Sequence, residues 1–360
     1  MNRFRQHKPF IIAGPCGIED EVQLESMAAA LSTLPVHMMR GGVWKPRSKP
    51  GMFEGRGEEA LQWIQDLKRR YPNLPVCTEV AGSEQVELAL RYGVDAVWIG
   101  ARSSVNPFLV QEIADALKGT SLGVMIKNPV NPDVELWSGG IERLLKSGIT
   151  HLAAIHRGFS SYDIGSKYRN KPIWAIPIEL KRRYADLPVF CDVSHICGNR
   201  ELLLPVAQRA MDLDFDGLMI ESHPHPDQAL SDAAQQITPD RLNKLLQHLV
   251  LRQGEATDGS GKIEEIRQML DSMDAELVEL IGKRMDMVKI LGEIKAQNNM
   301  PIYQAERWRD IVESRTGWGQ HSGLDALFIT QLFQLIHDKS IQTQIAILNS
   351  LTPDLIKGKE

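Results

Sequence analysis

Three cations crowd the stretch Arg40-Gly-Gly-Val-Trp-Lys45-Pro-Arg47-Ser48, all within eight residues. Two glycines and a proline restrict the backbone there. Arg and Lys are rarely buried without partners, and cations this close repel unless anions sit among them. Arg offers a forked donor for phosphate or carboxylate, and Lys a point charge. The stretch is either an anion cradle or a solvated basic loop, and its residues alone leave both open. A second set suggests metal chemistry: Cys16 in Gly-Pro-Cys, His195 closing Asp-Val-Ser-His, Glu221 in Ile-Glu-Ser-His-Pro and Asp232 in Leu-Ser-Asp. Mixed sulfur, nitrogen and oxygen donors suit one divalent ion, Mn, Co, Fe or Zn, without choosing among them. The four are scattered in sequence, so a buried cysteine with solvated carboxylates is the competing reading.

Positioning such residues needs a scaffold, and the pattern supplies one. Eight short apolar runs alternate with amphipathic stretches. The strand candidates are Pro9–Cys16, Met38–Val43, Pro75–Val80, Asp95–Gly100, Leu122–Asn128, His151–Arg157, Pro188–His195 and Asp216–His223. They are mostly continuous rather than alternating, as strands buried on both faces are. Helical patterns fit Glu58–Tyr71, Ser83–Tyr92, Pro107–Lys118, Ile141–Ser147, Arg200–Met211 and Pro239–Leu251. Eight β/α units in about 250 residues predict a (β/α)8 TIM barrel, with a doubly wound open sheet as the alternative. The carboxyl ends of the strands carry Cys16, Arg40, Glu79, Arg102, Lys127, Arg157, His195 and Glu221. That face of a barrel carries its chemistry.

Beyond Leu251 the character changes. A polar, glycine-rich stretch, 253–262, reads as a flexible linker, with a barrel domain over 1–252 before it and a helical domain over 263–360 after it. Such a linker spans roughly 17 Å. Ile263–Gln297 reads as one long amphipathic helix of roughly 50 Å, stopped by Asn298-Asn299 and Pro301. Shorter patterns fit Gln304–Arg315 and Leu324–Leu348. Three helices with one this long do not close a compact monomer, so dimerisation is expected. Arg284 and Lys295 are eleven residues apart and share a face. Arg267 lies roughly 25 Å from Arg284 along the same helix, so it can meet the same small ligand only from a paired protomer.

The composition is that of an ordinary soluble globular protein: 360 residues, 43% hydrophobic and 24% charged. A net charge of −5 argues against nucleic acid as the main partner. The N-terminus has no apolar signal region, and no apolar run reaches membrane-spanning length. Cys16, Cys77, Cys191 and Cys197 form no CxxC and no disulfide framework, so a reducing, cytoplasmic compartment is expected.

Residues 9–250 resemble 3-deoxy-D-arabino-heptulosonate 7-phosphate (DAHP) synthase, the short type I branch. The motifs are Gly14-Pro-Cys16, Arg40-Gly-Gly, Lys45-Pro-Arg47-Ser48, Gly100-Ala-Arg102, Lys127-Asn-Pro, His156-Arg157-Gly, Asp192-Val-Ser-His195, Glu221 and Leu230-Ser-Asp232. The resemblance implies condensation of phosphoenolpyruvate with erythrose 4-phosphate. It assigns the metal to Cys16, His195, Glu221 and Asp232, phosphoenolpyruvate to Arg40, Lys45, Arg102, Lys127 and Arg157, and the aldose phosphate to Arg47 and Ser48. Lys45 would supply a proton beside the aldehyde. The chain has Ser48-Lys49 where the family usually has two hydroxyl residues. The neighbouring 3-deoxy-D-manno-octulosonate 8-phosphate synthase family shares the barrel but typically reads Lys-Ala-Asn-Arg-Ser-Ser at this point.

Residues 263–350 resemble the all-helical chorismate mutases, an intertwined-dimer fold. The match is carried by Ile266-Arg267, Asp274, Lys283-Arg284, Ile294-Lys295, Glu306-Arg307, Ile329-Thr-Gln-Leu-Phe-Gln-Leu-Ile and Ser340-Ile-Gln-Thr-Gln344. It implies conversion of chorismate to prephenate, with Arg267 of a partner, Arg284, Arg307 and Ser340 around the substrate and Lys295 and Gln344 at the ether oxygen. Gln304 and Trp308 stand where acids commonly meet the substrate hydroxyl, so a binding-only sensor is the alternative. The first strand begins near Pro9, so feedback control of the barrel is expected from the helical side.

Overall fold

The structure is a computed structural model that describes residues 2–45, 51–161, 165–252 and 260–351. Eight parallel strands run β1 Phe10–Gly14, β2 Met38–Arg40, β3 Val76–Val80, β4 Ala96–Ile99, β5 Gly123–Lys127, β6 Leu152–His156, β7 Val189–Asp192 and β8 Gly217–Glu221. Each pairs with the next, and β8 pairs back to β1, closing the barrel expected from the sequence. Among the described residues nine α-helices accompany them: α1 Glu21–Leu31, α2 Glu58–Arg70, α3 Ser83–Arg91, α4 Pro107–Leu117, α5 Val134–Lys146, α6 Ala175–Arg183, α7 Val193–Cys197, α8 Leu203–Asp212 and α9 Pro239–Gln247. The starts are set locally. Asp20, Asn106, Asp133 and Thr238 each accept a backbone N–H of the first turn, and proline follows the cap in α4 and α9. Each longer helix buries one stripe against the sheet, as α2 does with Ala60, Leu61, Ile64 and Leu67.

Strand alternation explains the barrel interior. Side chains two apart on a strand share a face. The inward positions Phe10, Ile12, Met38, Cys77, Trp98, Met125, Ile155, Phe190 and Met219 pack into one apolar plug, floored by edge and stacked contacts among Phe4, Phe10 and Phe190. The next inward position towards the carboxyl end is Arg40, Glu79, Lys127, Arg157, Asp192 or Glu221 on six of the strands. A layer of ionisable groups therefore sits directly on an apolar floor.

Two boundaries differ from the sequence reading, and two helices are added to it. The seventh strand does not reach His195. It stops at Asp192, whose carboxylate accepts the His195 backbone N–H (3.2 Å) and turns the chain into α7. Helix α5 begins at Val134, not Ile141. The pair Gly139-Gly140 masks it by low helical propensity, and Gly140 packs close on β5, where a Cβ would lie 2.8 Å from Ile126 Cδ1. Helices α1 and α6 were not anticipated.

Residues 253–360 form a second compact unit, with helices α10 Ser260–Gln297, α11 Ala305–His321 and α12 Ala326–Leu351. The expected linker, 253–262, lies mostly outside the described residues, and α10 already starts at Ser260. Helix α12 packs on both α10 and α11. Gly319 lets α11 approach Ile329, where a Cβ would be 2.4 Å from Ile329 Cγ1. The N-terminal half of α10 leaves Ile266, Met269, Leu270, Met273, Leu277 and Leu280 exposed.

Candidate functional site

The carboxyl end of the barrel opens into a cleft of about 680 Å³ lined by Lys45, Glu79, Arg102, Lys127, Arg157, Arg169, Asn170, His195 and Asp232, among others. Arg40 lies under it, fully buried. Its Nη2 is 3.1 Å from Glu221 Oε1, off line for a hydrogen bond, and its Nε and Nη1 have no hydrogen-bond partner among the described residues. Buried donors normally have partners, so these point to an absent acceptor. The guanidinium also lies 4.9 Å above the Trp98 ring, and Lys127 Nζ 5.6 Å from it. Lys127 Nζ donates to Asp192 Oδ2 (2.7 Å), and Asp192 also receives His195 Nδ1 (2.9 Å). Burial raises the Asp192 pKa, but His195 and Lys127 outweigh it and hold the carboxyl well below its ordinary range. Burial likewise lowers the His195 pKa, so the ring is neutral near pH 7. Burial is the first influence on Arg157 too, pulling it down to about 10, with Arg169 and Arg102 adding and Asp192 opposing.

Cys16, Glu221 and Asp232 each bring one ligand atom within 4.8 Å of the others. Cys16 Sγ is 3.3 Å from Asp232 Oδ2, and Lys45 Nζ donates to Cys16 Sγ (3.1 Å) and to the Cys16 carbonyl (3.0 Å). His195 stands at the edge of this group, its Nδ1 3.9 Å from Glu221 Oε1 and engaged by Asp192. Burial, then Glu221, pushes the Cys16 thiol up to about 12. Glu221 Oε1 is buried and has no hydrogen bond among the described residues. Thiol, carboxylates and a neighbouring imidazole fit a divalent cation, and the orphaned oxygen is where one would be held. Lys45 is held protonated: burial lowers its pKa, but Cys16, Glu79 and Glu221 raise it further.

The structure thus brings Cys16, Arg40, Lys45, Arg102, Lys127, Arg157, His195, Glu221 and Asp232 to one end of the barrel. Arg47 and Ser48 lie outside the described residues. Four contributors went unselected in the sequence. Asp192 could have been found from strand alternation. Arg169 and Asn170 sit in a loop and Gln235 in the 3-10 turn Ala233–Gln235, and none carried a signal.

In the helical unit, Arg284 Nη1 donates to Ser340 Oγ (2.8 Å). Lys295 is only 7% exposed and donates to the Ile302 carbonyl (2.7 Å). Neither has a carboxylate partner among the described residues. Gln344 is buried with its Oε1 unpaired, and Gly292 leaves it room. His337, stacked on Trp308 at 4.1 Å, has an unpaired buried Nε2 and feels both Arg284 and Lys295. Arg307 is exposed, and Arg267 is 70% exposed beside Glu264 at 3.7 Å. The structure does not bring either of them to Arg284.

A sequence model of the DAHP synthetase I family matches residues 5–254, and one of chorismate mutase type II matches residues 266–345. A phospho-2-dehydro-3-deoxyheptonate aldolase of Thermotoga maritima is 31% identical over 239 residues, covering 66% of this chain and 68% of that protein. A crystal structure of the Thermotoga maritima enzyme has a TM-score of 0.59 at 30% identity, covering 66% of this chain and 67% of that one. A bifunctional chorismate mutase/prephenate dehydratase of Buchnera aphidicola is 36% identical over 88 residues. That match covers 24% of this chain, and the chain spans only 23% of that protein's length.

Proposed function

The chain belongs to the DAHP synthetase I family and carries a chorismate mutase type II domain, so it is an enzyme of the shikimate pathway, and from that premise we propose how its residues divide the work. A barrel domain over 1–252 condenses phosphoenolpyruvate with erythrose 4-phosphate, and a helical domain over 263–360 converts chorismate to prephenate. The observation that carries the first reading is the buried Arg40, with two unpaired donors, beside a carboxylate oxygen that also lacks a hydrogen bond. One end of the barrel thus holds adjoining places for an anion and a cation.

In the barrel, Arg40, Lys127, Arg102 and Arg157 orient the phosphate and carboxylate of phosphoenolpyruvate, and Arg47 and Ser48 take the aldose phosphate. Cys16, His195, Glu221 and Asp232 would hold a divalent ion, which when bound polarises the aldehyde oxygen. The alkene CH2 carbon bonds to the aldehyde carbon as the C=O π bond breaks, and the protonated Lys45 gives its proton to the aldehyde oxygen, which becomes the new hydroxyl. Water adds to the other alkene carbon, and phosphate leaves by C–O cleavage. In the helical domain the rearrangement needs only orientation and charge at the breaking ether bond. Lys295 and Gln344 serve the ether oxygen, and Arg284, Ser340 and Arg307 the rest of the substrate. Arg267 would enter from the partner of a homodimer formed through the exposed apolar face of α10. The four free, buried cysteines suit a reducing cytoplasm.

Both activities are assayed on the one purified chain, offering erythrose 4-phosphate and arabinose 5-phosphate separately. Preference for the five-carbon aldose would move the barrel to the octulosonate branch. Absent mutase turnover with retained prephenate binding would leave the helical domain a sensor. Regulation by prephenate is part of the reading: the full chain should be inhibited in condensation and a truncation ending near Leu251 should not. Equal inhibition of both would place the regulatory site in the barrel.

A further inference from the structure

Two adjacent residues in the loop between β6 and α6 reach both the cation group and the anion group of the barrel site. Arg169 Nη1 donates to Asp232 Oδ1 (3.1 Å) and to Gln235 Oε1 (2.7 Å). Gln235 Nε2 in turn donates to Glu221 Oε2 (2.6 Å). Asn170 Oδ1 accepts from Arg157 Nη1 (2.6 Å), and its Nδ2 donates to the His195 carbonyl (2.6 Å). The pair is itself pinned. Its backbone N–H groups donate to the carbonyls of Cys197 (3.3 Å) and Ile196 (3.2 Å), on the helix that carries His195. Two glycines at positive φ make the approach possible. A Cβ on Gly198 (φ +70°) would lie 2.5 Å from Arg169 Cβ, and one on Gly158 (φ +78°) 2.6 Å from the Asn170 carbonyl oxygen. No side chain other than hydrogen fits either place without displacing the dipeptide.

The oxygens are divided consistently. Asp232 gives Oδ1 to Arg169 and keeps Oδ2 towards Cys16 Sγ. Glu221 gives Oε2 to Gln235 and keeps Oε1, which has no hydrogen bond. Each carboxylate has one oxygen taken from outside the group, by Arg169 or Gln235, while the other faces Cys16 Sγ (Asp232 Oδ2, 3.3 Å) or the Arg40 guanidinium (Glu221 Oε1, 3.1 Å). Asp232 is at φ +49° and is partly exposed, so without Arg169 its carboxylate keeps only the Cys16 Sγ contact at 3.3 Å among the described residues. Arg169, 45% exposed, acts from the solvent side and offsets two negative charges that would otherwise repel.

We propose that Arg169-Asn170 is the positioning element of the barrel site. Arg169, directly and through Gln235, selects the oxygens that Asp232 and Glu221 present to a divalent cation. Asn170 ties the helix bearing His195 to Arg157, so that the cation site and the anion site form as one unit. The inference rests on reading Cys16, His195, Glu221 and Asp232 as ligands.

The test titrates Co²⁺ into the metal-free full-length chain, read by calorimetry and by the visible spectrum of the bound ion. Removing an outer partner of a ligand typically weakens metal binding about ten- to hundredfold. Arg169→Ala is expected to do so and to change the Co²⁺ spectrum. Arg169→Lys should recover only part, because a flexible ammonium lacks the fixed guanidinium plane in which Nη1 meets both Asp232 and Gln235. Asn170→Ala should raise KM for phosphoenolpyruvate more than it weakens Co²⁺. If Arg169→Ala does not fold, Gln235→Leu, which frees Glu221 alone, must show the weaker affinity. Wild-type affinity and spectrum in Arg169→Ala or Gln235→Leu would overturn the proposal while leaving the metal site standing. A wild-type chain that binds no divalent ion would overturn both.

Discussion

The mouth of the barrel and the helical site hold their charges in opposite ways. In the barrel the buried cations have carboxylates, Arg40 with Glu221 and Lys127 with Asp192. In the helical unit Arg284 and Lys295 have, among the described residues, only a hydroxyl and a carbonyl. A barrel offers a ring of inward strand positions, so opposite charges can be placed side by side before any ligand arrives. Three helices have no such interior, and positive charge is left for the ligand to neutralise. Losing a residue therefore has different consequences in the two places. In the barrel it strands a buried charge; in the helical unit it removes one that was already uncompensated.

The largest effect should follow Lys127→Ala. Breaking a buried pair typically costs about 3–5 kcal/mol of stability, so condensation should vanish and the unfolding transition of the barrel should fall. An unchanged unfolding midpoint would mean the pair does not hold the barrel mouth together. Lys295→Ala sharpens the contrast. Mutase turnover should drop roughly 10²–10³-fold, as on loss of one oxyanion donor, with helicity and unfolding midpoint unchanged or improved. A collapse in helicity would show that Lys295 is structural.

Mixed dimers carry the comparison to the level of the assembly. The helical site is expected to need Arg267 from a second protomer, whereas the barrel cleft already gathers nine of its candidate residues on one chain. Arg267→Ala and Arg284→Ala chains, each inactive alone, should regain mutase activity when denatured and refolded together. Mixtures that stay inactive would rule out the shared site.

The smallest effect concerns pH. His156 is fully buried among Trp137, Phe159, Trp174 and Phe215. Burial pulls its pKa from 6.5 down to about 3, against a slight upward pull from the Pro172 carbonyl. The unfolded chain takes up a proton below pH 6.5 that the folded chain refuses. Stability from this residue is therefore complete above pH 6.5 and is lost as pH falls towards 3. His156→Phe should make the change in unfolding free energy between pH 7 and pH 5 smaller by about 2 kcal/mol. An equal change in both proteins would show that the ring is not held neutral.

The barrel was legible because parallel strands covered on both faces are continuous apolar runs, and eight of them leave few alternatives. The charged layer was legible because it falls at strand ends. The error at His195 arose because an aspartate that caps a helix looks, in sequence, like one more strand residue. Arg169 and Asn170 were invisible for a different reason: their partners lie up to 66 residues away and follow no period. The helical site was half legible. Spacing placed Arg284 and Lys295 on one face, but the stacking of Trp308 on His337 joins two helices and leaves no trace in either one.

The most direct test of the central claim, one chain with a cation-dependent barrel site and a cation-independent helical site, is to follow both reactions on the same preparation as a chelator is added. Condensation should fall to background and return with Mn²⁺ or Co²⁺, while the conversion of chorismate to prephenate stays constant throughout. Full condensation activity in chelated, metal-free protein, or parallel loss of both reactions, would contradict it.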